Sequence, residues 1–276
     1  MARRWWIPLM ALPVVAGVGS LLAVGVASAS PGLAHPAKQP AAAHAVSPGS
    51  PMIWPSGVAV RSGPNVRNVT VSSNNWSGYA LSRGNGAFRG VSASWIQPRA
   101  QCAGVAGHRY AAFWVGLDGF SSHSVEQTGT DTDCRGRTPT YYGWYEMFPA
   151  APVFFRTKVN PGDHISASVT FSGTRTYTLV LRDITRGWVH TIIKNQAGLS
   201  RSSAEVIVEA PSSTGGVLPL ANFGTIRITG SRANGVLLRR LAPIRIQMVN
   251  GAGRLKDTTS LIGPADAFTD RWIRSF

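Results

Sequence analysis

From about residue 160 onward apolar residues recur at every second position, and no three-to-four helical spacing interrupts that rhythm. HISASVTF (164–171), YTLVLRDIT (177–185), WVHTII (188–193), AEVIVEA (204–210), GTIRITG (224–230) and IRIQMVN (244–250) all alternate. β-branched and aromatic residues fill many of their apolar positions, as in strands with one covered face. VSASWIQ (91–97) alternates too, and YAAFWVGLDG (110–119) is a continuous apolar run ending in a turn. NPGD (160–163), FSGTR (171–175), TRG (185–187), SSTGG (212–216) and NGAG (250–253) supply turn chemistry between them. Short strands with turns and no helices between them predict an all-β fold, an antiparallel β-sandwich. Glu occurs only at 126, 146, 205 and 209, and Lys is scarce, which also disfavours long surface helices.

The strand pattern does not begin at the N-terminus. Residues 1–29 read as an export signal: Arg3-Arg4, an apolar stretch from Trp5 to Val26, then Ala27-Ser28-Ala29 as a cleavage site. The apolar stretch is also about long enough for a membrane anchor, though Pro8, Pro13 and four Gly argue for a cleaved signal. Residues 30–70 are rich in Pro, Ala, Ser and Gly and read as a linker or propeptide. Residues 71–276 form the expected folded domain, secreted and extracellular, with no stable membrane association once the signal is removed. Cys102 and Cys134, an even pair in an exported chain, predict one disulfide; the alternative is two free thiols.

The net charge of +15 could draw the chain to nucleic acid, anionic lipid or acidic polymers. The Arg residues are scattered, however, and no basic run exceeds two, so the basic residues read as a solvated surface with no nucleic-acid partner. Nothing in the chain suggests oligomerisation, and a monomer is expected.

Common catalytic motifs are absent: no HExxH, GxSxG, P-loop or Gly-rich dinucleotide turn occurs, nor the aspartic D-T/S-G string. His108 and His123 do not stand at zinc-ligand spacing, and neither a metal nor a cofactor is expected. Four segments instead place polar or ionisable residues among strand-like apolar and aromatic ones: NNWSGYA (74–80), FWVGLDG (113–119), VEQTGTD (125–131) with YGWYEMFP (142–149), and AEVIVEAP (204–211). Buried polar groups are costly unless paired, so these segments mark either a groove that grips an extended polymer or an aromatic core around Trp76, Trp114 and Trp144. Glu126, beside Gln127, is expected to face the opposite way and to be solvated.

In this order, with VSASWIQP between the first two and PLANFGT (219–225) at the end, the strings resemble the glutamic peptidases, or eqolisins, over residues 74–225. The resemblance implies two curved sheets in a concanavalin-like jelly roll with a substrate groove on the concave face. It implies a secreted acid endopeptidase acting on polypeptides, with Gln127 and Glu209 as the catalytic pair. Trp76, Trp114, Asp118, Asp131 and Glu146 carry over as groove residues. Tyr142 departs from the family, whose fungal members often carry Asp there, and a single Cys pair is fewer than fungal members hold. In such a mechanism the carboxylate takes a proton from water, the Gln amide N–H steadies the oxyanion, and the acid returns the proton to the leaving nitrogen. Alternation alone leaves Glu205 open as the active carboxylate, since Glu205, Ile207 and Glu209 share one face. A glycoside hydrolase using Glu146 with Glu205 or Glu209, or a carbohydrate-binding module, remains the alternative on a similar sandwich.

Overall fold

The computed structural model describes residues 69–276 of the chain. The expected export signal and nearly all of the 30–70 segment lie outside the described residues. Val69 and Thr70, placed in that segment by composition, already lead into the first strand. Fourteen strands of four or more residues follow among the described residues. They are β1 Thr70–Ser73, β2 Trp76–Ser82, β3 Gly90–Ile96, β4 Ala112–Leu117, β5 Val125–Arg135, β6 Thr138–Phe148 and β7 His164–Ser172. Then come β8 Thr176–Asp183, β9 Trp188–Asn195, β10 Ser203–Glu209, β11 Thr225–Ala233, β12 Ile244–Val249, β13 Leu255–Thr259 and β14 Phe268–Trp272.

Pairing arranges them in two layers. The first runs β6–β5–β4–β10–β2–β12–β1, and only its β1–β12 pair is parallel. The second runs β9–β8–β7–β3–β11–β14. β13 pairs with both β12 and β14 and carries the ladder from one layer to the other. The architecture is the antiparallel β-sandwich that the alternation predicts.

Inward residues of both layers form one apolar cluster. Phe113, Val115, Val206 and Val208 of the first layer pack with Trp95, Ile165, Leu179 and Leu181 of the second. Each such side chain contributes about 1.5–3 kcal/mol on full burial. The second layer keeps a simple alternation, buried then exposed, along β7 and β8. β4, β5 and β10 are buried at nearly every position, because a second cluster of Trp76, Trp114, Trp144, Ile207 and Ile246 covers their other face. Cys102 and Cys134 are bonded, with Cα atoms 5.4 Å apart, and fasten the loop after β3 to the end of β5. Asn75, whose sequence fits a glycosylation site, is buried with its side chain bonded to Ser73.

All twelve Asp and Glu side chains of the chain are buried. Glu126 is among them, against expectation: it does face away from Gln127, but that face is the inter-layer core rather than solvent. Arg83, Arg182, Arg227, Arg254 and Arg271 are exposed, so the ionised surface side chains are basic. A protein with surface carboxylates gains positive charge as pH falls through about 4. Here the salt needed to elute the folded chain from a cation exchanger should stay nearly constant between pH 3 and pH 5. A steep rise in that salt toward pH 3 would show that carboxylates reach the surface.

Candidate active site

Register lines up three rows of side chains across β6, β5, β4, β10 and β2, all on the face away from the inter-layer core. The first row is Tyr142, Asp131, Ala112, Glu209 and Trp76. The middle row is Trp144, Gly129, Trp114, Ile207 and Gly78. The third is Glu146, Gln127, Gly116, Glu205 and Ala80. The Trp114 indole needs the small residues around it. A Cβ at Gly129 would lie 2.6 Å from the Trp114 Cβ, and one at Gly116 would lie 2.9 Å from the Trp114 ring. With that space the Trp114 ring meets Trp76 edge-on, centroids 4.9 Å apart.

The hydrogen bonds then tie the rows together. Gln127 Nε2 donates to Glu146 Oε2 at 2.7 Å, and Trp114 Nε1 donates to Glu209 Oε2 at 2.8 Å. Trp144 Nε1 donates to Asp131 Oδ1 at 2.6 Å. Burial pushes the Glu209 carboxyl well above the usual carboxylate range; Trp114 opposes this, Glu146 adds to it, Trp76 opposes it and Asp131 adds to it. Glu146 is therefore the shared neighbour of Gln127, by a hydrogen bond, and of Glu209, by charge.

Glu205 stands in the same row as Gln127, yet its surroundings differ. Burial raises its pKa well above the usual range; Ser203 opposes the rise, and the charges that add to it are those of Asp118 and Glu126. Asp118 belongs to that second group. Its carboxylate accepts from the Arg201 N–H at 2.6 Å and the Ser202 N–H at 2.9 Å, which pins the turn after β4 to the chain leading into β10. Of the residues carried over from the resemblance, Trp76, Trp114, Asp131, Glu146, Gln127 and Glu209 are thus brought together, while Asp118 sits with Glu126 and Glu205.

Three participants are missing from the sequence-derived site. Trp144 holds Asp131, and the Tyr142 hydroxyl contacts both Asp131 and Asp133. Tyr142, Trp144 and Glu146 recur at period two along β6, a signal that would have placed all three on one face. Asp133 gave no such signal beyond its spacing from Asp131. Among the described residues no three His, Cys, Asp or Glu side chains gather at metal-ligand spacing.

Comparison with known proteins follows the same residues. Positions 74–251 match the family model described as the Peptidase A4 family. Aspergillopepsin-2 of Aspergillus niger is 30% identical over 128 residues, which are 45% of this chain and 45% of that protein. The match therefore spans less than half of that relative's length. The crystal structure of scytalido-glutamic peptidase with a transition state analog inhibitor aligns at a TM-score of 0.61 and 25% identity, over 72% of this chain and 98% of that one. The aspergilloglutamic peptidase of Aspergillus niger aligns at a TM-score of 0.51 and 22% identity, over 60% and 99%, a likeness of fold.

The buried acids make stability depend on pH in a definite direction. Burial raises Asp133 and Asp257 to about 7 and Glu126 to about 9, and it raises Asp131, Glu205, Glu209 and Asp270 well above their ordinary values. A carboxyl raised in the fold stabilises it fully below its unfolded value, about 4, and that contribution is lost as pH rises through the folded value. The melting temperature should therefore be highest near pH 4 and fall steadily between pH 5 and pH 9. Scanning calorimetry showing a constant or rising Tm over that range would contradict this account.

Proposed function

On the premise that the chain belongs to the Peptidase A4 family, we propose that it is a secreted acid endopeptidase in which Glu209 and Gln127 direct water onto a peptide carbonyl. What chiefly supports the reading is that Glu209 and Gln127 share one face, out of bulk water, with Glu209 bonded to the Trp114 indole and Gln127 to Glu146.

In this proposal, once the face opens and water reaches it, Glu209 ionises and as carboxylate removes a proton from that water, and the hydroxide formed attacks the carbonyl carbon. Gln127 gives an N–H to Glu146, which fixes the plane of its amide, and in the reaction that amide donates to the carbonyl oxygen as negative charge develops there. A preorganised donor of this kind is worth several kcal/mol in a dry site. Glu209, now protonated, gives its proton to the departing nitrogen. Trp114 holds Glu209 in place for both steps. Polypeptides are the substrates, and both side chains are fully buried here, so cleavage requires a conformation in which this face opens. The export reading of residues 1–29 and the bonded Cys102–Cys134 pair support an oxidising, extracellular setting.

Digestion of denatured protein at about pH 3 to 4, with pepstatin present, tests the assignment. Glu209→Gln should abolish cleavage, and Gln127→Ala should lower kcat by about 100-fold or more. Glu205→Gln should retain activity within about tenfold. Full activity in both of the first two variants, or its loss in Glu205→Gln alone, would overturn the assignment of the pair.

A further inference from the structure

Asp131 and Asp133 lie one pleat apart on β5, and both reach the hydroxyl of Tyr142 on β6. The Tyr142 oxygen is 3.0 Å from Asp131 Oδ2 and 2.6 Å from Asp133 Oδ2. Both carboxyls are buried. A phenol has one proton and can donate it fully to one acceptor. The second short oxygen–oxygen contact needs another proton, carried by one of the carboxyls and donated to the Tyr142 oxygen. Without it, two buried anions would share a single donor, a costly arrangement out of water. The remaining oxygens are already engaged: Asp131 Oδ1 accepts from Trp144 Nε1 at 2.6 Å and Asp133 Oδ1 from the Ala111 N–H at 3.3 Å.

We propose that Asp131, Tyr142 and Asp133 form a chain that stores one proton beside Trp144 and the proposed catalytic pair, and that release of this proton sets the upper pH limit of catalysis. The inference rests on the function proposed above. Release of this proton adds one negative charge to the unit. Asp131 already opposes ionisation of Glu209, and Glu146 in turn presses on Asp131, so a further charge here disturbs the base and the residue that orients Gln127. Arg135 offsets part of the charge on Asp133, and the Tyr110 hydroxyl is the other titratable group near it. The chain after β6 places the Phe154 ring edge-on to Tyr142, 5.1 Å between centroids. Burial is also the largest factor raising Asp133, to about 7, which puts the release near neutral pH.

Asp133→Asn tests the idea, because its amide oxygen can still accept from the Ala111 N–H while its NH2 group donates to the Tyr142 oxygen. Activity against a peptide substrate should persist at acid pH, and the alkaline limb of kcat/KM should move up by about one pH unit, a gain of about twofold at the original midpoint and about tenfold well above it. Tyr142→Phe removes the bridge and should also displace the limb. A second readout needs no activity: the Trp144 indole N–H resonance should shift with pH in the parent chain and lose that step in Asp133→Asn. An unmoved limb in both folded variants, or an indole step that survives in Asp133→Asn, overturns the inference. A parent chain with the indole step but no peptidase activity overturns the proposed function and, with it, the catalytic role of the proton, leaving only the shared-proton chain.

Discussion

A carboxylate moved from water into a protein interior loses several kcal/mol of hydration, and this fold makes that transfer for every acidic side chain it has. Most of the other properties follow from how the loss is offset. Some acids accept hydrogen bonds from indoles, as Glu209 does from Trp114 and Asp131 from Trp144. Others accept from backbone N–H groups, as Asp118 does at Arg201 and Ser202. Elsewhere the acid keeps its proton, which burial favours at Glu126, Glu205 and Asp257. Such an interior is consistent with itself at low pH, where a protonated acid is an ordinary hydrogen-bonding group. The surface left behind is basic and nearly indifferent to acid.

The same face of β10 presents two glutamates, and their environments separate their roles. Strand geometry gives Glu205 the same row as Gln127, so backbone register would favour Glu205 as its partner. The side chains lead elsewhere. Glu205 answers to Asp118 and Glu126 near the turn that follows β4, while Glu209 sits under Trp76 and Trp114 with Glu146 as a charged neighbour. Long side chains on a twisted sheet reach diagonal neighbours 7–8 Å away, which is why a row assignment does not by itself settle contact. Trp114 occupies the middle row between the two levels and has room there because Gly116 and Gly129 carry no Cβ.

Legibility in the sequence tracked hydrophobicity. β7, β8, β9, β10, β11 and β12 were readable within two or three residues, since each buries an alternating apolar set. β5 and β6, eleven residues each and paired along their full length, were noticed as unusual rather than as strands. Along β5, Gln127, Gly129, Asp131 and Asp133 alternate with Glu126, Thr128, Thr130 and Thr132, because both faces of the strand are covered and both carry polar side chains. β13 and β14 were too short and too polar to register, with buried Asp257 and Asp270 where a strand usually places apolar residues. Glu126 shows the same limit: alternation gave its direction correctly but not that its direction led to the core.

What the sequence determined by itself is the class of fold, the position of most strands and the residue types available for chemistry, because these depend on local pattern and composition. The disulfide was also within its reach, since two Cys allow one pairing. Only the tertiary structure decided which acids meet. Asp131 and Asp133 share Tyr142, Gln127 turns its amide to Glu146, and Asp118 joins Glu126 and Glu205 instead of the indole-covered group. Each of these depends on the register between strands distant in the chain and on the direction of side chains across it, and a one-dimensional pattern carries neither.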